Sequence, residues 1–126
     1  MGGRGTYAVG NNVGYTYKTV GKIGGVKVLS GLGKLHNLPE EAHSGGNAYI
    51  KVDSQGDFVR YREYNKDKTA HFDIDYHVEP KITGNRTEKV FHIHFYNKNG
   101  ERDVVGRKLT QQEMKQYKKY FRGRRV

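Results

Sequence analysis

Two histidines one residue apart, His92 and His94, interrupt the otherwise apolar run "VFHIHFY" (Val90–Tyr96). On an extended strand both project to the same side, with Cα atoms about 6.5–7 Å apart. Imidazole has the side-chain pKa nearest neutrality, so a pair can divide proton acceptance and proton donation within one reaction. RNA cleavage through the 2′-hydroxyl needs that division, plus positive charge for the crowded phosphorane. Neighbouring segments hold the other parts. "FVRYREY" brings Arg60 and Arg62 as bidentate phosphate ligands, and Tyr64 to donate a proton or stack a base. "AHFDIDYH" brings Asp73 and Asp75, either of which can orient an imidazole by hydrogen bond.

The same residues support two other readings. His-x-His directs both rings to one side, so Asp75 or His77 would complete a facial metal set. Alternatively the arginines, lysines and aromatic rings bind nucleic acid or a protein partner without catalysis. The metal-free acid–base reading, which requires no cofactor, accounts for the most residues. His43 lies outside these strands, on a segment able to approach the site from the side. "GVKVLSGLGK" lacks the glycine-x4-glycine-lysine-serine spacing of a phosphate loop.

These side chains need a sheet to hold them. "NAYIKV" (Asn47–Val52), "FVRYREY" (Phe58–Tyr64), "AHFDIDYH" (Ala70–His77) and "VFHIHFY" alternate with period two and are separated by turn-forming residues, which predicts an antiparallel meander. Parity puts Val59, Tyr61, Phe72, Ile74, Tyr76, Phe91, Ile93 and Phe95 on one face. Arg60, Arg62, Tyr64, His71, Asp73, Asp75, His77, His92, His94 and Tyr96 fall on the other, which is expected to be wet. "LTQQEMKQYKKYF" predicts a C-terminal helix: Thr110 and Glu113 fit a capping box, and Met114, Tyr117 and Phe121 recur at helical spacing. Lys115, Lys118, Lys119 and Arg122 fall on its far side as nucleic-acid contacts. "NLPEEAH" (Asn37–His43) predicts a single helical turn, and "KIGGVKVL" (Lys22–Leu29) one short strand. The expectation is therefore α+β: a glycine-rich arm over residues 1–35, then one domain over 36–126. That domain would hold an antiparallel sheet of four to five strands with the C-terminal helix packed on one face.

Charge distribution suggests the partner. The chain of 126 residues carries a formal +10, with five cations and no anions in residues 1–38 and ten cations against three anions in residues 98–126. Such ends attract polyanions, nucleic acid above all. Without cysteine there is no disulfide framework or zinc-thiolate site. The apolar fraction is 34% and mean hydropathy is −0.91, so no run reaches a membrane span and the opening residues lack a signal-peptide core. A protein working inside a cell, away from membranes, is expected.

The pattern Leu38-Pro39…His43, Arg62-x-Tyr64, Asp73-Ile74-Asp75-Tyr76-His77 and His92-x-His94, over roughly residues 35–96, resembles small basic domains at the C-terminal tips of bacterial polymorphic toxins and in phage-associated proteins. The opening "MGGRG" is similar to the start of small phage and mobile-element proteins. Toxin tips of this sort are often ribonucleases of the barnase, EndoU, colicin and RelE group. The resemblance implies a small sheet with helices on one side and an active face on the other. It implies His92, His94 and His43 as catalytic residues and Arg60 or Arg62 as phosphate ligands, with RNA as substrate and a bacterial or phage-infected cytoplasm as the setting. An immunity protein or antitoxin is the implied partner. A noncatalytic phage protein that binds nucleic acid or inhibits a host defence nuclease fits the same charge and context.

Overall fold

The computed structural model describes residues 17–31, 37–42 and 47–125. Seven strands form one sheet in chain order: β1 (Tyr17–Ile23), β2 (Val26–Gly31), β3 (Ala48–Val52), β4 (Phe58–Tyr64), β5 (Ala70–Val78), β6 (Lys89–Phe95) and β7 (Arg107–Lys108). Neighbours are antiparallel except β2 and β3, which run parallel through Lys27↔Tyr49 and Val28↔Ile50. Among the described residues the two α-helices are short: α1 (Pro80–Thr83), and α2 (Gln111–Tyr117) with a 3-10 turn at Lys118–Tyr120. This corrects the expected four- to five-stranded antiparallel sheet under a packed C-terminal helix. The sheet is larger and mixed, and helix is a minor part.

The added strands come from the glycine-rich segment. Gly24 and Gly25 both have positive φ, 57° and 84°, which only glycine adopts freely, and the pair makes a two-residue hairpin turn between Ile23 and Val26. "KIGGVKVL" is thus the turn of a hairpin, and residues 17–31 of the expected arm belong to the sheet. A Cβ on Gly24 would sit 2.9 Å from the Tyr120 ring, so the turn also permits close approach of the C-terminus. Residues 37–42 are not helical. Glu41 bridges Thr69, and the Ala42 N–H donates to the Lys68 carbonyl.

The apolar face of the sheet buries Val28, Ile50, Tyr61, Ile74 and Ile93, with Phe121 set against them. Phe91 stacks on Phe121 at 4.5 Å between ring centroids, Phe58 meets it at 4.8 Å, and Tyr61 stacks on Tyr120 at 4.9 Å. A seven-residue helix is marginal alone. Here the capping box of Thr110 and Glu113 starts it, and aromatic contact through Tyr117 and Phe121 docks it. Parity fails where the register shifts. A register shift between Lys51 and Val52 leaves Val59 unpaired, so Phe58 enters the core where Val59 was expected. The register also shifts between Glu63 and Tyr64, where His71 is left unpaired. A second apolar cluster of Leu38, Ala42, Tyr49 and Tyr64 lies apart from this core. Among the described residues no helix is long and apolar enough to cross a membrane.

Candidate functional site

Strand register arranges the polar face in two rungs. Arg62, Asp73 and His94 are cross-strand partners on β4, β5 and β6; Arg60, Asp75 and His92 form the rung beside them. The expected convergence of arginine, aspartate and histidine therefore occurs, but the face is not wet. Arg62 is 6% exposed, Asp73 0%, Asp75 4%, and His92 and His94 3% each.

Buried charges require partners, and here each has one. Arg62 donates from Nε to Asp73 Oδ1 at 2.6 Å and from Nη2 to Oδ2 at 3.1 Å, while its Nη1 reaches the Leu38 and Pro39 carbonyls. Arg60 grips Asp75 the same way, at 2.6 and 2.9 Å. The Tyr96 hydroxyl donates to Asp73 Oδ2 at 2.7 Å and accepts from Arg62 at 2.9 Å. Burial pushes the Asp75 carboxyl up, but the Arg60 hydrogen bond and the Arg60 and Arg102 charges outweigh it and hold it below the usual range. Burial raises the Tyr96 hydroxyl to about 12, with the Asp73 charge adding to it. Both arginine forks are thus filled by carboxylates.

Two residues that strand parity did not single out complete the site. Arg102 is a cross-strand bridge partner of Tyr96; it donates to Asp75 Oδ2 at 2.5 Å and approaches Asp73 Oδ2 with Nε at 3.3 Å. Its side chain is 32% exposed, the most of the three arginines, although its Nε is buried. Asp103 accepts from His94 Nδ1 at 2.8 Å through Oδ1 and from the Phe95 N–H through Oδ2. Gly106, at φ 79°, lets this loop turn beneath β6, where a Cβ would strike the Ile93 carbonyl and lie 3.2 Å from His94 Nδ1. A basic residue and an acidic residue just after the "NKNG" turn were the only signal, and the strand pattern had already ended.

The imidazoles lie 4.9 Å apart between ring centroids, edge to face. His92 Nδ1 lies 2.9 Å from the Val90 carbonyl, which can only accept, so that nitrogen carries the proton. His94 Nδ1 likewise donates to Asp103. With Nδ1 engaged in each ring, Nε2 is the nitrogen left to accept or release a proton, and His94 Nε2 is 3.9 Å from Asp75 Oδ2. Burial pushes the His92 pKa down, against opposing contributions from its Val90 hydrogen bond and Asp75.

The remaining sequence-predicted residues are placed as follows. Tyr64 donates its hydroxyl to the Pro39 carbonyl at 2.5 Å within the second apolar cluster, and burial raises its pKa. His71 and His77 are exposed; His71 packs edge-on to Phe72 and Phe95. Lys115, Lys118, Lys119 and Arg122 are exposed, so the cationic side of the C-terminal segment faces water. His43 lies outside the described residues. A cavity of about 660 Å³ bordered by Tyr17, Glu40, Glu41, Arg62 and Tyr96 opens beside the first rung, and one of about 460 Å³ opens at Arg102 and Asp103. No family model, curated protein or solved structure matches this chain.

Proposed function

We propose that the protein acts on RNA as an endoribonuclease whose acid–base pair is His92 and His94, with no resident metal taking part. The observation that carries this reading is the pinning of both Nδ1–H groups on fixed acceptors, which leaves the two Nε2 atoms as the positions where one ring accepts a proton and the other releases one. His92, kept neutral by burial, is suited to take the 2′-hydroxyl proton. His94, oriented by the Asp103 carboxylate, gives a proton to the 5′-oxygen from its doubly protonated form, in which Nε2 carries the second proton. Arg102 supplies the positive charge once it releases Asp75, because Arg60 and Arg62 each grip a carboxylate through two nitrogens and are more deeply buried. Its half-buried side chain must swing aside to admit a phosphodiester. The buried network, with Asp103, sets three guanidiniums against three carboxylates, so the formal +10 is carried by the rest of the chain and serves to draw in the polyanion. The setting is the cytoplasm of a bacterium or a phage-infected host, with an immunity protein as partner.

A noncatalytic reading has its own support: both imidazoles are 3% exposed and two arginine forks are filled. On that reading the protein binds nucleic acid or a host nuclease through exposed cations such as Lys115, Lys118, Lys119 and Arg122. Incubating purified protein with total RNA and a chelator separates the two. Cleavage that persists with chelator and disappears in both His92→Ala and His94→Ala, with fold and RNA affinity retained, is the expected result. Cleavage retained in either variant eliminates the acid–base pair. Binding without cleavage, with a salt slope flattened by Lys115→Gln, Lys118→Gln and Lys119→Gln together, selects the noncatalytic reading.

A further inference from the structure

Asp75, His92 and His94 have a second chemical capacity. A ring nitrogen from each histidine and a carboxylate oxygen of Asp75 all lie within 4.8 Å of one another. All three residues are at least 96% buried, on adjacent strands with Asp75 directly opposite His92. Histidine ligands of metal ions are held by a second hydrogen bond from the other ring nitrogen to a carbonyl or a carboxylate. His92 has the carbonyl, from Val90 at 2.9 Å, and His94 the carboxylate, from Asp103 at 2.8 Å. These bonds fix each ring with Nε2 as the free donor.

We propose that Asp75, His92 and His94 form a binding site for a divalent transition ion of the zinc class, and that Arg102 competes with that ion for Asp75. Two imidazole nitrogens favour zinc, cobalt or nickel over magnesium or calcium, which prefer all-oxygen sites. Ligand bonds of about 2.0–2.1 Å require the three donors to draw together by roughly an ångström, a movement side-chain torsions supply. The obstacle is electrostatic. Asp75 Oδ2 accepts from both Arg60 and Arg102, so a dication meets two guanidiniums. Arg60 grips both oxygens and its side chain is 18% exposed, whereas Arg102 holds Oδ2 alone and is 32% exposed beside the smaller cavity. Arg102 is therefore the cation that yields. Exchanging it for a dication leaves one surplus positive charge, which a hydroxide or an anionic oxygen in the fourth position neutralises.

This inference does not rest on RNA cleavage, although the ion and the acid–base pair would use the same Nε2 atoms and exclude each other. Calorimetric titration of the untagged full chain with Zn²⁺, Co²⁺ and Mg²⁺ tests it. One equivalent of Zn²⁺ and of Co²⁺ should bind, Mg²⁺ should not, and the Co²⁺ complex should show the visible absorption of a site with nitrogen ligands. Arg102→Ala, a change at a half-buried side chain beside the smaller cavity, should tighten Zn²⁺ binding at least tenfold. His92→Gln and His94→Gln should each abolish it, while His77→Ala at an exposed histidine leaves it unchanged. Unchanged or weaker binding in Arg102→Ala, or Zn²⁺ binding that survives His92→Gln, overturns the proposal.

Discussion

Strand β5 turns Phe72 and Ile74 to one side and Asp73 and Asp75 to the other, and all four are at least 95% buried. One sheet thus has two interiors. The aromatic side is held by area and shape, where each contact contributes a little and partners are interchangeable within limits of volume. The ionic side is held by complementarity. Arg62 is tolerable only because Asp73, Tyr96 and two carbonyls meet its donors, and removing one member strands the others. Equal burial therefore has different consequences for mutation on the two sides.

The largest contrast is expected at Asp73. Asp73→Asn leaves Arg62 with a neutral partner in a buried setting and should cost about 3–5 kcal/mol in urea unfolding. Combining it with Arg62→Met, which removes the stranded charge, should recover more than half of that loss. A double variant no more stable than Asp73→Asn alone would show that the pair is not the unit of the ionic side. On the aromatic side, Phe121→Ala should cost about 3 kcal/mol, because that ring joins Phe58 and Phe91 across the core. It should add to the Asp73 change within about 0.5 kcal/mol, since the two face opposite ways. Strong coupling between them would contradict the separation of the two interiors.

The smallest effect belongs to an ion pair that water reaches. The Arg107 hydrogen bond holds the Glu113 carboxyl down at about 2, helped by the Thr110 N–H. A carboxyl lowered by folding stabilises above its unfolded value, and that contribution disappears as pH falls through the folded one. The window thus runs from the ordinary carboxylate range down to about 2. Solvent screening keeps the contribution under about 1 kcal/mol. Glu113→Gln should lower stability by up to this amount near neutrality, where the ion pair is complete, and the two profiles should converge as pH falls toward about 2. A variant as stable as the parent near neutrality would assign the ionised Glu113 carboxylate no role in stability.

Much of β4, β5 and β6 was legible because alternation is a local signal. Arg60, Asp75 and His92 share a face for the same reason that Tyr61, Ile74 and Ile93 share the other. Phe58 and Val59 exchanged roles because a bulge reverses parity without any mark in residue type. The β1–β2 hairpin was hidden because glycine-rich sequence reads as loop until a sheet edge lends it partners. Arg102 and Asp103 were missed because they enter from a turn, where side-chain direction has no period.

Residue order alone determined which imidazoles, carboxylates and guanidiniums would share a side of the sheet, since successive side chains on an extended chain must point opposite ways. Whether that side met water depended on tertiary structure. Burial is a property of what distant segments bring, and here Leu38, Pro39, Arg102 and Asp103 arrive from outside the central strands. Those contacts turned a polar face into a buried charge network, because charges removed from water must find one another.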